Sequence, residues 1–353
     1  MIVLNNKELI DKLNKEKQLE YNEWYQLLSS FTEEDKAYAA EIARGIAKAN
    51  FGNKIYIRGI VEFSNYCKCN CYYCGIRCGN KESVRYRLTK EDILACCKDG
   101  YEYGFRTFVL QGGEDPYFTD EIFVDIISAI RKEYPDCAIT LSLGERSAES
   151  YQKLYDAGAN RYLLRHETAD PEHYGKLHPE KMSWQNRMDC LRTLKKIGFQ
   201  TGCGLMVGSP YQTVDSLVKD MLFITEFKPH MVGIGPFVPH KDTPFKDFPA
   251  GNIPLNLLLL SLCRIALPHI LLPATTALGA VCGDDGRLMG ILSGCNVIMP
   301  NLSPIEVRKK YMLYDNKPIN SDDAAESIEA LKKYVAGIGY EIIIDRGDYG
   351  KNL

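Results

Sequence analysis

The chain has 353 residues, 45% hydrophobic and 25% charged, the make-up of a globular protein long enough for one large α/β domain. A net charge of −3 gives no attraction to nucleic acid or to an anionic membrane surface. Thirteen cysteines, with no apolar signal segment over Met1 to Asn6, point to a reducing cytoplasm rather than to disulfides. The most apolar run, Leu255 to Cys263, is interrupted by Asn256 and Ser261 and falls well short of the ~20 residues that span a membrane.

Residues 1–54 read as a helical extension packed on the rest: Leu9, Ile10 and Leu13, then Tyr38, Ile42 and Ile46, recur at helical spacing. From residue 55 strands and helices alternate. Ile55 to Phe63 is the first strand, followed by a cysteine-rich loop and a helix capped by Thr89, with Asp92 three positions on. Arg106 to Leu110 is the second strand, ending at Gln111-Gly112-Gly113-Glu114, and a helix over 119–133 follows. Ala138 to Leu143 is the third, and Arg161 to Leu164 the fourth, ending at Arg165-His166-Glu167-Thr168. A helix over 183–197 leads to the fifth strand, Thr201 to Val207, and the helix 213–227 carries Val214, Leu217, Val218, Met221 and Leu222 on one face. Met231 to Gly235 is the sixth strand; after a helix over 254–266 comes Ile270 to Pro273, the seventh, ending at Ala274-Thr275-Thr276. A short helix over 284–292, an eighth strand from Asn296 to Met299 and a helix over 322–336 complete the chain. Eight short apolar strands alternating with helices predict a (β/α)8 TIM-type barrel over 55–353 with an N-terminal helical extension; barrels of ~250 residues are typical. The alternative architecture is an open doubly wound sheet.

The organising stretch is Cys67-Lys68-Cys69-Asn70-Cys71-Tyr72-Tyr73-Cys74. Cys67, Cys71 and Cys74 have the spacing C-x3-C-x2-C, and three thiolates on one loop can hold three corners of a cubane iron–sulfur cluster. The competing reading is zinc, with Cys69 or Cys78 as a fourth ligand, but no second cysteine pair follows at zinc-ribbon distance. The spacing, with an aromatic residue before the last cysteine, resembles the signature of the radical SAM superfamily. That resemblance implies a [4Fe–4S] cluster on Cys67, Cys71 and Cys74 whose open iron chelates S-adenosylmethionine (SAM).

Barrel chemistry gathers on the loops at the carboxyl ends of the strands, and the polar residues here follow that rule. The superfamily resemblance implies that Gly112 and Gly113 meet the SAM amino group, with Glu114 beside them. Arg165 and Arg187 match a carboxylate, Glu167 could bond ribose hydroxyls, and Tyr73 could reach the adenine. Met231, on the sixth strand, is a weaker candidate, since a methionine there is more often core. Arg58, Gln111, Thr140, Arg161, Thr275, Thr276 and Tyr314 point inward or lie at the mouth on this reading, so the interior suits a polar, anionic substrate. A one-residue slip in strand register would turn Arg58 outward. Cys203 reads as a small buried hydrophobe or, alternatively, part of a second internal cluster of the biotin-synthase kind.

The resemblance extends further. Arg58 to Asn65, Gly113-Glu114-Asp115-Pro116-Tyr117, Tyr162 to Thr168, Met231 to Phe237, Pro273 to Ala277 and Asn296 to Asn301 resemble the [FeFe]-hydrogenase maturase HydE family. The family implies reductive cleavage of SAM to a 5′-deoxyadenosyl radical that acts on a cysteine-bound Fe(CO)2(CN) precursor of the di-iron subcluster. It implies a small organometallic or amino-acid-derived substrate, a reductant such as ferredoxin or flavodoxin, and other hydrogenase maturases as partners. The alternatives are a radical SAM amino-acid mutase such as methylornithine synthase, or a biotin-synthase-like enzyme. No cysteine follows Cys295, so the C-terminal accessory cluster of some family members is not expected.

Overall fold

The computed structural model describes residues 4–283, 285–317 and 324–350. Three helices come first: α1 (Asn6–Glu16), α2 (Tyr21–Ser30) and α3 (Glu33–Phe51). Asn5 with Glu8, and Thr32 with Asp35, form reciprocal capping boxes, which satisfy backbone N–H groups that a helix start leaves without partners. Then follow β1 (Lys54–Ile57), β2 (Gly59–Ser64), α4 (Lys90–Glu102), β3 (Thr107–Gly112), α5 (Asp120–Glu133), β4 (Ala138–Ser142), α6 (Ala148–Asp156) and β5 (Arg161–Leu163). Next are α7 (Pro171–Leu177), α8 (Trp184–Ile197), β6 (Gln200–Val207), α9 (Val214–Phe227), β7 (Met231–Pro236), α10 (Ile253–Ala266), α11 (Thr276–Cys282) and α12 (Asp285–Leu292). The chain closes with β8 (Val297–Ile298), α13 (Ile305–Arg308), α14 (Ala324–Ala336) and β9 (Glu341–Ile343).

Six strands form one parallel sheet in the order β2-β3-β4-β5-β6-β7, and a three-stranded parallel sheet has the order β8-β1-β9. All six residues of β7 and all but the first of β6 are buried, as in a parallel sheet covered on both faces. The helix starts follow from local sequence: the Thr89 hydroxyl accepts the Asp92 N–H at 3.1 Å, and Asp92 accepts the Thr89 N–H at 2.9 Å. The N-terminal helices pack on the same body, α3 against α10 and α2 against α9, with Trp24 and Leu27 fully buried in the shared core.

The structure departs from expectation in three places. The first strand is two, broken at Arg58: β1 pairs with β8 and β9, β2 with β3. Gly59 follows the break because a Cβ there would lie 2.1 Å from Leu302 Cδ1. The expected seventh strand is reduced to bridges, Leu271 with Met231 and Pro273 with Val297. Finally, β9 and the short helices α7, α11 and α13 were not anticipated. The expected helix starts at 284 and 322 lie outside the described residues.

Candidate active site

One cavity of about 340 Å3 opens at the carboxyl ends of β2 to β7. Cys67, Cys71 and Cys74 all line it, on the loop that leaves β2. The backbone fixes that loop from several sides. Lys68 N–H donates to Glu114 O at 2.9 Å, Gly113 N–H to Ser64 O at 3.1 Å, Tyr72 N–H to Leu177 O at 3.0 Å and Gly75 N–H to Leu313 O at 2.8 Å. Two glycines make the close approach possible. A Cβ on Gly113 would lie 2.2 Å from Tyr66 O, and one on Gly75 would lie 2.2 Å from Met312 O.

The thiols differ in their surroundings. Cys67 is lowered to about 7, first because the Cys69 thiol donates to its sulfur, with the Glu114 N–H at 3.4 Å adding to the effect. Burial pushes Cys71 up and Cys74 up to about 12. Buried thiols of this kind ionise when a metal takes the proton's place. Among the described residues, no three His, Cys, Asp or Glu side chains stand together at single-ion spacing. Thiolates on one tetrahedral zinc are about 3.8 Å apart, from Zn–S of about 2.3 Å; the corners of a cubane are farther apart. Cys67, Cys71 and Cys74 line one cavity wall together, the placement that three thiolate ligands of one cluster require.

All the residues proposed for SAM line this cavity: Tyr73, Gly112, Gly113, Glu114, Arg165, Glu167, Arg187 and Met231. The Tyr73 hydroxyl lies 3.1 Å from His178 Nε2, and His178 Nδ1 lies 2.9 Å from Tyr174 O. A carbonyl only accepts, so Nδ1 carries the ring proton and Nε2 takes the Tyr73 hydroxyl proton. Burial depresses His178 to about 3, so it is neutral. Arg165 donates to Leu205 O at 2.7 Å and lies 3.4 Å from Glu167 Oε2. Arg187 is already engaged by Glu145 Oε1 at 2.5 Å and by Arg165 O at 2.7 Å, which makes it more a brace for Arg165 than an open carboxylate receptor.

The seven substrate candidates divide. Gln111, Thr275, Thr276 and Tyr314 line the cavity, with the Thr276 and Tyr314 hydroxyls 2.8 Å apart. Arg58, Thr140 and Arg161 do not. Arg161 starts β5 and Arg58 precedes β2, at the amino ends of the strands, where the C-terminal segment runs beneath them. Arg161 meets Asp348 Oδ1 at 2.6 Å and Arg346 O at 2.8 Å. Arg58 faces Met231 Sδ at 2.7 Å and Gly347 O at 3.4 Å. Thr140 is paired in register with Arg161. These side chains point inward, but below the cavity.

The structure also adds residues that sequence reasoning missed. Glu62, Asn301, Tyr311 and Lys317 line the cavity. Lys317 Nζ donates to Glu62 and to Tyr311 O, and Asn301 donates to the other Glu62 oxygen at 2.8 Å. A carboxylate in a largely apolar strand was the available signal for Glu62. Cys203 is fully buried on β6, outside the cavity lining, as a small hydrophobe would be.

Residues 61–224 match the model of the radical SAM superfamily. The chain is 42% identical over 299 residues to the [FeFe] hydrogenase maturase subunit HydE of Thermotoga maritima, covering 85% of each. It is 29% identical over 320 residues to the 3-methylornithine synthase of Methanosarcina acetivorans, covering 89% of this chain and 88% of that one. A crystal structure of methylornithine synthase (PylB) superposes with a TM-score of 0.83 at 27% identity, covering 95% and 97% of the two chains. The chain therefore belongs to the [FeFe] hydrogenase maturase HydE family, radical SAM enzymes that use a [4Fe–4S] cluster and SAM in hydrogenase maturation.

Proposed function

We propose that this enzyme acts on a small cysteine-bound iron complex with CO and cyanide ligands, a precursor of the hydrogenase di-iron subcluster. One observation carries the reading: Gln111, Thr275, Thr276 and Tyr314 share a single cavity with Cys67, Cys71 and Cys74. The cluster, when bound on those cysteines, supplies the electron that cleaves SAM to a 5′-deoxyadenosyl radical. The chain's own residues orient and enclose. Gly112 and Gly113 bring backbone close to the SAM amino group, Arg165 holds its carboxylate, Glu167 its ribose, and Tyr73 its adenine. Glu114 ties the Gly112–Gly113 turn to the cysteine loop, its carbonyl accepting the Lys68 N–H at 2.9 Å, and Met231 forms the part of the cavity wall that meets Arg58. Gln111, Thr275, Thr276 and Tyr314 take the substrate's carboxylate and cyanide groups by hydrogen bonding. The buried walls keep water and stray hydrogen donors away.

We read the strands as a (β/α)8-type barrel; the bridges Met231 to Leu271, Pro273 to Val297 and Ile60 to Asn301 support closure between the two sheets. Among the described residues no helix is long and apolar enough to cross a membrane. We read the enzyme as cytoplasmic, reduced by ferredoxin or flavodoxin and serving other hydrogenase maturases. The test is anaerobic reconstitution followed by SAM and dithionite, counting iron and measuring 5′-deoxyadenosine. About four irons and cleavage stimulated by the cysteine-bound iron dicarbonyl cyanide complex are expected. Cleavage indifferent to that complex but coupled to rearrangement of lysine would favour the mutase reading, which the likeness to methylornithine synthase supports.

A further inference from the structure

We propose that the buried pair His166–Asp220 is a positioning device that presents Arg165 and Glu167 to the cavity. The proposal rests on reading these two as SAM contacts. Neither His166 nor Asp220 lines the cavity, and both are completely buried.

The need for such a device is visible in the backbone. Glu167 has φ +65°, a left-handed conformation that is strained for a residue other than glycine. The surroundings must hold it there. Glu167 N–H donates to Gly204 O at 3.0 Å, and Gly204 N–H donates back to His166 Nδ1 at 3.2 Å. Because Nδ1 accepts, the ring proton is on Nε2; Nε2 lies 3.3 Å from Asp220 Oδ1, close enough for electrostatic attraction but without hydrogen-bond alignment. That same Asp220 oxygen accepts the Ala169 N–H at 2.5 Å. Asp220 projects from α9, and the Phe223 ring meets the imidazole edge-on with centroids 4.9 Å apart.

The segment from Arg165 to Ala169 is therefore gripped from behind at His166 and Ala169, on either side of the strained residue. Arg165 and Glu167 face the cavity while His166 faces the body of the protein. An apolar pair would fill the same space without the cost of burying an imidazole and a carboxylate. Here each polar atom that is bonded points at the backbone of the segment or of the adjoining strand β6, which is what positioning requires.

A double-mutant cycle of Asp220→Asn with Glu167→Gln separates positioning from a general structural role. The readouts are the SAM dissociation constant of cluster-loaded protein, the SAM-induced change in the electron paramagnetic resonance spectrum of the reduced cluster, and turnover at saturating SAM. Each single substitution should weaken SAM binding about tenfold, and the double no more than Glu167→Gln alone. Iron content and saturated turnover of D220N should stay close to wild type. His166→Asn keeps an acceptor for the Gly204 N–H and should lose less affinity than His166→Leu. Should D220N fail to fold, H166N takes its place in the cycle. Additive effects of D220N and E167Q, or unaltered SAM affinity in a folded D220N or H166N, would overturn the proposal. Unaltered affinity in E167Q would instead overturn the contact reading, and the proposal with it.

Discussion

At the carboxyl ends of the strands, Gln111, Thr275, Thr276 and Tyr314 face the cavity that the cysteine loop closes. At the amino ends, Arg58 and Arg161 are just as inward and more completely buried, yet the protein's own tail satisfies Arg161 through Asp348, Arg346 O and Gly347 O. Both ends look like anion sites when only side-chain types are counted. What separates them is height along the strand. In a parallel α/β sheet the carboxyl end is left open to ligands by its loops, whereas here the amino end is closed by chain. The upper end is available for chemistry; the lower end holds the fold.

Substitutions at the two ends should therefore fail in different ways. Cys71→Ala at the upper end should abolish iron–sulfur loading and SAM cleavage, while unfolding of the apoprotein in urea changes by only about 1 kcal/mol. Arg161→Met at the lower end should do the reverse. It leaves Asp348 beside the floor without its main partner, and breaking such a pair costs about 3 kcal/mol, read as a lower urea midpoint. SAM cleavage per folded molecule should be retained. Should R161M keep full stability and lose substrate affinity, Arg161 would move back to the catalytic end and the contrast would collapse.

How much of this contrast the sequence carried follows from the range of the interactions. The cysteine loop and the Thr89–Asp92 cap are local patterns, so spacing alone located them. Strand periodicity told which residues face inward, but a period of two carries no height, and so Arg58, Thr140 and Arg161 were grouped with Gln111 and Thr276. The residue that settles Arg161, Asp348, lies 187 positions downstream, in a tail with no repeating pattern. The Glu62–Lys317 pair spans 255 positions and had no sequence signal on the lysine side. His166 stood inside a segment already singled out; only its contact with Asp220, from another helix, shows that it faces away from the cavity.

The lower end can be probed by acid as well. Burial pushes the Asp348 carboxyl up, but Arg161 and Arg346 outweigh it and hold it below the usual carboxylate range. A depressed carboxyl contributes stability that is present above its unfolded value of about 3.9 and lost as pH falls through the folded value. The stability gap between wild type and Asp348→Asn should thus be constant from about pH 8 to pH 5 and close below about pH 4. Urea unfolding across that range checks it. A gap that closed near neutral pH would mean that a different group, not this carboxylate, carries the charge that steadies the floor.

The smallest effect expected is at the cavity wall, and it tests whether the upper end is as free of structural duty as the comparison requires. Thr276 opens α11, and its hydroxyl shares a proton with Tyr314 at 2.8 Å. Burial pushes the Tyr314 phenol up to about 12, so it stays protonated and can always donate. Thr276→Val keeps the shape and β-branching while removing one partner of one neutral hydrogen bond, a loss of about 1 kcal/mol at most. With Tyr314 still facing the cavity, a bound substrate or water can satisfy its hydroxyl, so the urea midpoint should scarcely move. The cost should appear instead as a KM for the iron complex raised about fivefold with kcat little changed, the signature of lost ground-state binding. A stability loss as large as that of R161M would mean that this hydroxyl pair holds the wall together, and that structural work reaches into the catalytic end after all.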